Sequence, residues 1–394
     1  MRLSIERACG TIAAPPSKSA LHRRLILNAL AGRFDAPDNP CDDAAITHRA
    51  LCALRDHTTV DCGESGSTLR FLLPVSLLFS GGTFTGSERL CARPILPLIE
   101  ALREHGAVIS ADALPLSVSG VLRSGTCALP GNVSSQFFTG LLLTLPFLAS
   151  DSTLLWTSPL SSGGYVRLTE RILHEHGVAV MPIENGYRIP GNQRPAALPN
   201  SAEGDWSCAA PMLILGAMCG SVAVRGLDPE SEQPDRLVLD VLRQCGVHVS
   251  IDGDAVAVSK GKLTGFRQNG DVAPDLVPAL CALACACDGD SVLYRLHRLR
   301  DKESDRFDAL LSLLRSLGAD FETERTDTIV IHGHGVLTGG TADVPRDHRM
   351  VMAAALMSAI STRPLALSHA ESLSKSYPHF LADFEKLGGH VDAV

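Results

Sequence analysis

Apolar positions along this chain fall into two kinds of run that alternate with each other. One kind is apolar on every side, as in Leu25 to Ala31, Phe137 to Ala149, Ala279 to Ala286 and Val351 to Ile360. A helix of that kind has no face to give to water and must be buried. The other kind is amphipathic, ends in Leu-Arg-x-x-Gly or a looser variant, and runs into a β-branched or alternating segment. Those glycines are Gly106, Gly177, Gly246, Gly318 and Gly388, spaced by 71, 69, 72 and 70 residues. Glycine just past a helix supplies the left-handed turn that stops it and feeds the chain into a strand.

A polar or charged cluster opens each of the all-apolar helices. Six such starts centre on Lys18, Gly66, Ser135, Asp205, Asp275 and His348, at intervals of 48, 69, 70, 70 and 73 residues. The repeat therefore predicts units of one buried helix, a strand, an amphipathic helix and further strand. Three units can bury their inner helices against one another, so six units make two bodies. The first interval, 48 residues, is too short for the pattern. The Pro/Gly/Asn-rich stretch from Ile189 to Gly204 reads as the crossover between bodies, and a second crossover near Ala13 to Ser17 assigns the first strand to the C-terminal body. The expected division is residues 1–15 plus 204–394 in one lobe and 16–203 in the other, with hinge strands near 13–17 and 200–205.

Length agrees, since 394 residues exceed what one hydrophobic core organises. A net charge of −8, with no basic stripe, gives no reason to expect nucleic acid, so an anionic ligand needs locally gathered positive charge. The 12 cysteines are scattered without CxxC pairs, and there is no HExxH, so neither a disulfide framework nor a metal centre is expected. No apolar run reaches the ~20 residues of a membrane span. The first motif arrives by Ser17, which leaves no room for a leader, and the chain is expected to be cytoplasmic.

The chemistry lies at the helix starts. Pro15 and Pro16 forbid a helix before them, Ser17 is a suitable N-cap, and a helix from about Lys18 to Ala31 follows, with Gly32 ending it. Its N-terminus presents backbone N–H groups, Ser17, Ser19, Lys18 and, four residues after Ser19, Arg23 to an anion. Gly63 to Arg70 sets small residues and hydroxyls ahead of the next apolar helix, and Arg89 and Arg93 follow. Ser134, Ser135 and Gln136 open the third, and Ser162 precedes its amphipathic partner. Asp275 opens a strongly apolar helix, where burial raises a carboxyl pKa and nearby cations lower it, the conflict expected of a general base. Lys302 and Arg306 lie four apart in the charged run Arg298 to Arg306, which also holds Glu303. Arg349 heads a buried helix, where a cation is costly unless it meets an anion. Lys375, in Ser374 to Pro378, is the last basic start.

Read together, Pro16 to Arg23, Ser65 to Arg70, Arg89 to Pro94, Ser134 to Phe137, Lys302 to Arg306, Asp347 to Met350 and Ser374 to Pro378 resemble the 5-enolpyruvylshikimate-3-phosphate synthases. These are enolpyruvyl transferases of the shikimate pathway. The resemblance runs in one collinear order from about residue 12 to residue 381. It implies an α/β fold of two lobes, an inside-out α/β barrel in which each lobe holds three βαβαββ units around buried parallel helices. It also implies transfer of enolpyruvyl from phosphoenolpyruvate to the 5-hydroxyl of shikimate 3-phosphate. Lys18, Ser19, Arg23, Ser134, Ser135, Gln136, Ser162, Asp275 and Lys302 are implied to bind shikimate 3-phosphate. Lys18, Gly66, Arg89, Gln136, Arg306, Arg349 and Lys375 are implied to bind phosphoenolpyruvate. Asp275 is the implied base and Glu303 the implied acid, with Lys18 a third catalytic group. No metal or organic cofactor is implied, the partners are small molecules, and a monomer is expected.

Departures from the family pattern are Glu64 for Asn, Ser67 for Thr, Phe71 for Pro, and Arg298 where some members have Asn. Gly66 is expected to leave open space beside the phosphoenolpyruvate site and hence sensitivity to glyphosate. Two other readings fit parts of the pattern. The UDP-N-acetylglucosamine enolpyruvyl transferases share fold and donor, but they have Lys-Asn in place of Lys18-Ser19 and a reactive Cys where this chain has Glu88. A silent binding protein on the same repeats is expected to have lost some of Lys18, Asp275, Glu303, Arg349 and Lys375, and all are present.

Overall fold

The computed structural model describes residues 1–324 and 327–392. It divides into two compact units, Met1–Ser17 with Glu203–Val394 (unit 1) and Lys18–Ala202 (unit 2). The division falls one or two residues from the expected boundaries at 15/16 and 203/204, for a local reason. Pro16 bridges to Gly204, the Ser17 N–H donates to Glu203 O at 2.7 Å, and the Asp205 N–H donates to Pro15 O at 2.8 Å. Backbone pairing therefore keeps residues 16, 17 and 203 in unit 1.

Unit 2 holds helices α1 (Lys18–Leu30), α2 (Asp42–Arg55), α3 (Gly66–Val75), α4 (Glu88–Cys91), α5 (Leu96–Glu104), α6 (Ser135–Leu142) and α7 (Gly164–Glu175). Unit 1 holds α8 (Trp206–Cys219), α9 (Val238–Gln244), α10 (Val277–Ala286), α11 (Arg306–Ser316), α12 (His348–Met357) and α13 (Phe380–Lys386). Every residue of α8 and α12 is buried, as is nearly all of α10, which is the outcome their unbroken apolar sequence requires. The one large aromatic in α8, Trp206, satisfies its indole by donating to Asp228 O at 3.0 Å.

Among the described residues there are five four-stranded sheets, and all share one plan. In unit 2, Val60–Asp61 runs parallel to Gly82–Thr85, which pairs antiparallel with Leu116–Gly120, which pairs antiparallel with Ala107–Ile109. The sheet Thr126–Leu129, Ser152–Trp156, Gly186–Ile189, Met181–Ile183 repeats that order. In unit 1 the N-terminal segment supplies two missing strands. Cys9–Ala13 lies parallel to Ser221–Arg225, and Arg2–Ser4 sits antiparallel between Leu365–Leu367 and His390–Asp392. Two N-terminal strands, not one, thus belong to this body.

The expected sixth βαβαββ unit is incomplete. Residues 18–59 form α1 and α2 with no strand, which accounts for the short first interval. The proline-rich segment instead runs as irregular chain beside α1, held where Asn28 Oδ1 accepts from Leu198 N–H and Asn28 Nδ2 donates to Asn200 Oδ1, at 2.8 and 2.7 Å.

Candidate active site

The residues singled out at the helix starts gather into two sets, one on each unit. In unit 2 the first turns of α1, α3, α6 and α7 supply the groups. Lys18 Nζ is paired with Asp43 Oδ2 of α2 at 2.9 Å, which anchors the ammonium to a buried carboxylate. Arg23 is 2% exposed and hydrogen-bonds only to neutral oxygens among the described residues. Its guanidinium donates to Thr169 Oγ1 (2.8 Å), Tyr165 O (2.9 Å), Thr139 Oγ1 (3.2 Å) and Ser19 O, and lies over the Phe71 ring at 5.1 Å. Burial pulls its pKa down to about 9. A guanidinium desolvated to that degree against neutral acceptors favours an incoming anion.

Gln136, on the first turn of α6, is clamped between two groups of α3. Its Nε2 donates to Ser67 Oγ at 2.9 Å, and its Oε1 accepts from Arg70 Nη1 at 2.8 Å. Ser134 caps α6 by accepting from the Gln136 N–H at 3.3 Å. Ser162 is buried and adopts φ of 52°, a left-handed conformation unfavourable for a residue with a Cβ and typical of positions held for function.

Around Gly66 the structure corrects the sequence reading twice. A Cβ added there would meet Arg93 Nη1 at 2.7 Å and Arg70 Nη1 at 2.9 Å, so the space beside Gly66 is bounded by two guanidiniums and is not open. The arginine over this turn is Arg93, whereas Arg89 is exposed on the short helix α4. Arg70, 4% exposed, is the second missed cation. Spacing alone gave Arg89 and Arg93 equal standing, because both precede the same helix; only the fold of the loop separates them.

In unit 1 the set is built around one guanidinium. Arg306, 1% exposed, donates to Asp275 Oδ1 (2.7 Å), Glu303 Oε2 (2.8 Å) and both oxygens of Asp347 (2.8 and 3.2 Å). Burial works against its charge, but Asp347, Glu303 and Asp275 together hold its pKa above the ordinary arginine value. Lys302 Nζ donates to the same Asp275 oxygen at 3.2 Å, and Lys375 Nζ lies 3.9 Å from Glu303 Oε1. The expected contest at Asp275 is decided by the cations. Burial, the largest single influence, raises its pKa, yet Lys302, Arg306 and Arg349 outweigh it and leave the carboxyl well below the usual range.

Arg349 enters from the first turn of α12. It donates to Ser207 O and Ser207 Oγ of α8, both at 2.5 Å, while its buried Nε–H has no partner among the described residues. Asp347, absent from the sequence-based set, caps α12 by accepting from the Arg349 N–H at 3.0 Å and also accepts from Ser304 Oγ at 3.0 Å. Lys302 and Arg306, four apart as on one helix face, do not lie in one helix. Residues His297–Asp301 form a 3-10 turn, Lys302 is extended, and α11 begins at Arg306 behind the cap Asp305. Arg298, a departure from the family pattern, pairs with Asp271 at 3.0 Å.

Known proteins resemble this chain in sequence and in fold. The sequence profile described as EPSP synthase (3-phosphoshikimate 1-carboxyvinyltransferase) matches residues 41–384. The chain belongs to the EPSP synthase family. A relative named 3-phosphoshikimate 1-carboxyvinyltransferase from Clostridium kluyveri is 36% identical over 97% of this chain and 96% of its own length. One of the same name from Methanocorpusculum labreanum is 34% identical over 99% of each. The solved EPSP synthase of Acinetobacter baumannii superposes over all of both chains with a TM-score of 0.79 at 23% identity, a likeness of fold. The two-lobed α/β architecture of the family is thus the architecture of this chain. Among the described residues no helix is long and apolar enough to cross a membrane. Cys91, the cysteine nearest the rival family's reactive position, is half-buried with Sγ 3.8 Å from Gly86 O.

Proposed function

We propose that this chain carries out the reaction of the EPSP synthase family. In that reaction the enolpyruvyl group of phosphoenolpyruvate passes to the 5-hydroxyl of shikimate 3-phosphate, giving 5-enolpyruvylshikimate 3-phosphate and inorganic phosphate. One observation carries the reading: Asp275 and Glu303, the proposed base and acid, are ion-paired to the same buried guanidinium of Arg306. A single cation thereby holds both proton-transfer groups in one place.

In addition, Asp275 takes the proton of the 5-hydroxyl as its oxygen attacks C2 of phosphoenolpyruvate, and Glu303 delivers a proton to the methylene carbon. The tetrahedral carbon that results bears carboxylate and phosphate. In elimination, Glu303 takes a proton back from the methyl group as the C–O bond to phosphate breaks, and the departing phosphate takes up the proton held by Asp275, which restores both carboxyl groups to their starting states. Asp275 is too weak a base while Lys302, Arg306 and Arg349 act on it with no anionic substrate bound. Anionic substrates that engage those cations raise its pKa and make it competent, so binding switches on the base.

Lys18, Ser19, Arg23, Ser134, Ser135, Gln136, Ser162, Asp275 and Lys302 are assigned to shikimate 3-phosphate. Lys18, Gly66, Gln136, Arg306, Arg349 and Lys375 are assigned to phosphoenolpyruvate, with Arg93 taking the place first given to Arg89. The unpartnered Nε–H of Arg349 is the donor kept for that ligand. The test is phosphate release from phosphoenolpyruvate, which is expected only when shikimate 3-phosphate is also present. Glu303→Gln keeps the side-chain shape and is expected to lower kcat at least 100-fold, the low end for a general acid, with KM for both substrates changed little. Equal loss in kcat and in binding would contradict the acid role.

A further inference from the structure

One buried titratable group takes no part in the reaction as assigned. His22 on α1 is 1% exposed and lies edge-to-face against Phe71 with ring centroids 6.1 Å apart. Its Nδ1 is 2.7 Å from Thr47 Oγ1 of α2, Thr47 Oγ1 is 2.5 Å from Thr68 Oγ1 of α3, and Thr68 Oγ1 is 2.8 Å from Ser65 Oγ. Thr47, Thr68 and Ser65 are each 0% exposed. The four groups form one line through three helices.

Each hydroxyl has a single proton, so the directions along the line depend on one another. Thr68 spends its proton on Ser65 Oγ. Thr47 must then be the donor to Thr68, which makes Thr47 an acceptor toward His22. The imidazole is consequently the Nδ1–H tautomer and keeps a bare lone pair on Nε2, an atom that has no partner among the described residues. Burial draws the pKa of His22 down to about 3, so the ring stays neutral at working pH.

The line ends on the cap of α3. Ser65 Oγ also accepts from the Thr68 N–H at 3.3 Å, which fixes the turn that carries Gly66 and Ser67. We infer that His22, Thr47 and Thr68 are positioning residues that tie the Ser65–Ser67 turn to α1 and so set the geometry of the phosphoenolpyruvate subsite. This inference rests on the assignment of Gly66 to phosphoenolpyruvate. Two features explain why such a brace is present. The guanidiniums of Arg70 and Arg93 flank the turn at its glycine, so a displacement of the turn is felt at both cations. Phe71, which departs from the family's proline, gives His22 an edge to pack against and Arg23 a face to cover. Of the shikimate 3-phosphate groups, Ser134, Ser135 and Ser162 hang from α6 and α7, outside the line, and Lys18, Ser19 and Arg23 sit on α1 at its anchored end, so the brace acts first on the turn that carries Gly66.

Steady-state kinetics of the full chain test it. Thr47→Val keeps the volume and removes the link; it is expected to raise KM for phosphoenolpyruvate about five- to tenfold, with kcat and KM for shikimate 3-phosphate within about twofold. Thr47→Ser restores the hydroxyl and is expected to restore KM. In the unaltered protein, nitrogen-15 NMR of labelled histidine is expected to show His22 protonated at Nδ1 and bare at Nε2, a readout that needs no variant to fold. The inference is overturned by an Nε2–H tautomer, by equal rises in both KM values, or by Thr47→Ser as impaired as Thr47→Val. Gly66→Ala separates the two layers of reasoning. If it raises KM for phosphoenolpyruvate while Thr47→Val does not, the brace alone fails. If neither changes that KM, the assignment of Gly66 fails and the brace falls with it.

Discussion

Lys302 is a residue of the site whose charge changes close to neutrality. Burial lowers its pKa to about 8 against the opposing pull of Asp275. Below that value it is an ammonium and holds an anion; above it the ammonium is lost, so anion binding weakens as pH rises. The kcat/KM for shikimate 3-phosphate is therefore expected to fall along an alkaline limb near pH 8, and the kcat limb to lie higher, because bound substrate favours the charged form. Lys302→Arg is expected to move the kcat/KM limb upward, and a limb that stayed put would assign it to another group. Other residues were less legible at this scale. Asp43, Asp347, Arg70 and Arg93 were missed because each earns its place through a partner distant in sequence: Lys18, Arg306, Gln136 and the turn at Gly66 respectively. Lys18, Arg23, Asp275 and Arg349 stood out in the sequence because charge at the start of an apolar helix is anomalous, whereas Glu303 was named by the family resemblance.

At the scale of elements, a capping residue also serves as a hub. Asp347 ends the loop before α12, satisfies its first turn and neutralises Arg306 of α11. Asp347→Asn can still accept from the Arg349 N–H but withdraws the charge opposite a guanidinium that is 1% exposed. Breaking a buried pair from one side costs about 3–5 kcal/mol, so denaturant unfolding of this variant is expected to show a loss of that order. A loss below about 1 kcal/mol would place the stabilising charge on Glu303 and Asp275 instead. The helices themselves were readable from apolar runs and glycine stops, since burial and C-capping are local rules. The break between Lys302 and α11 was not, because i, i+4 spacing looks the same whether or not a cap at Asp305 interrupts it.

For the whole molecule, the two units differ in how they are assembled from the chain. Unit 2 is one continuous segment, whereas two sheets of unit 1 take a strand from residues 2–13. Residues 18–202 expressed alone are expected to unfold cooperatively, as followed by circular dichroism. Residues 203–394 are expected to do so only when residues 1–17 are supplied, as a peptide or by a linker; cooperative unfolding without them would show that the borrowed strands are dispensable. By itself the sequence determined the repeat, the buried helices, the two bodies and the family, because hydrophobic periodicity and short motifs are written in neighbouring residues. Only the tertiary structure decided that the first repeat lacks its sheet, that Arg93 and not Arg89 covers Gly66, and that Arg306 pairs with both Asp275 and Glu303. Those outcomes depend on hydrogen bonds and ion pairs between segments far apart in the chain, and no local pattern encodes which distant partner a strand edge or a buried charge will meet.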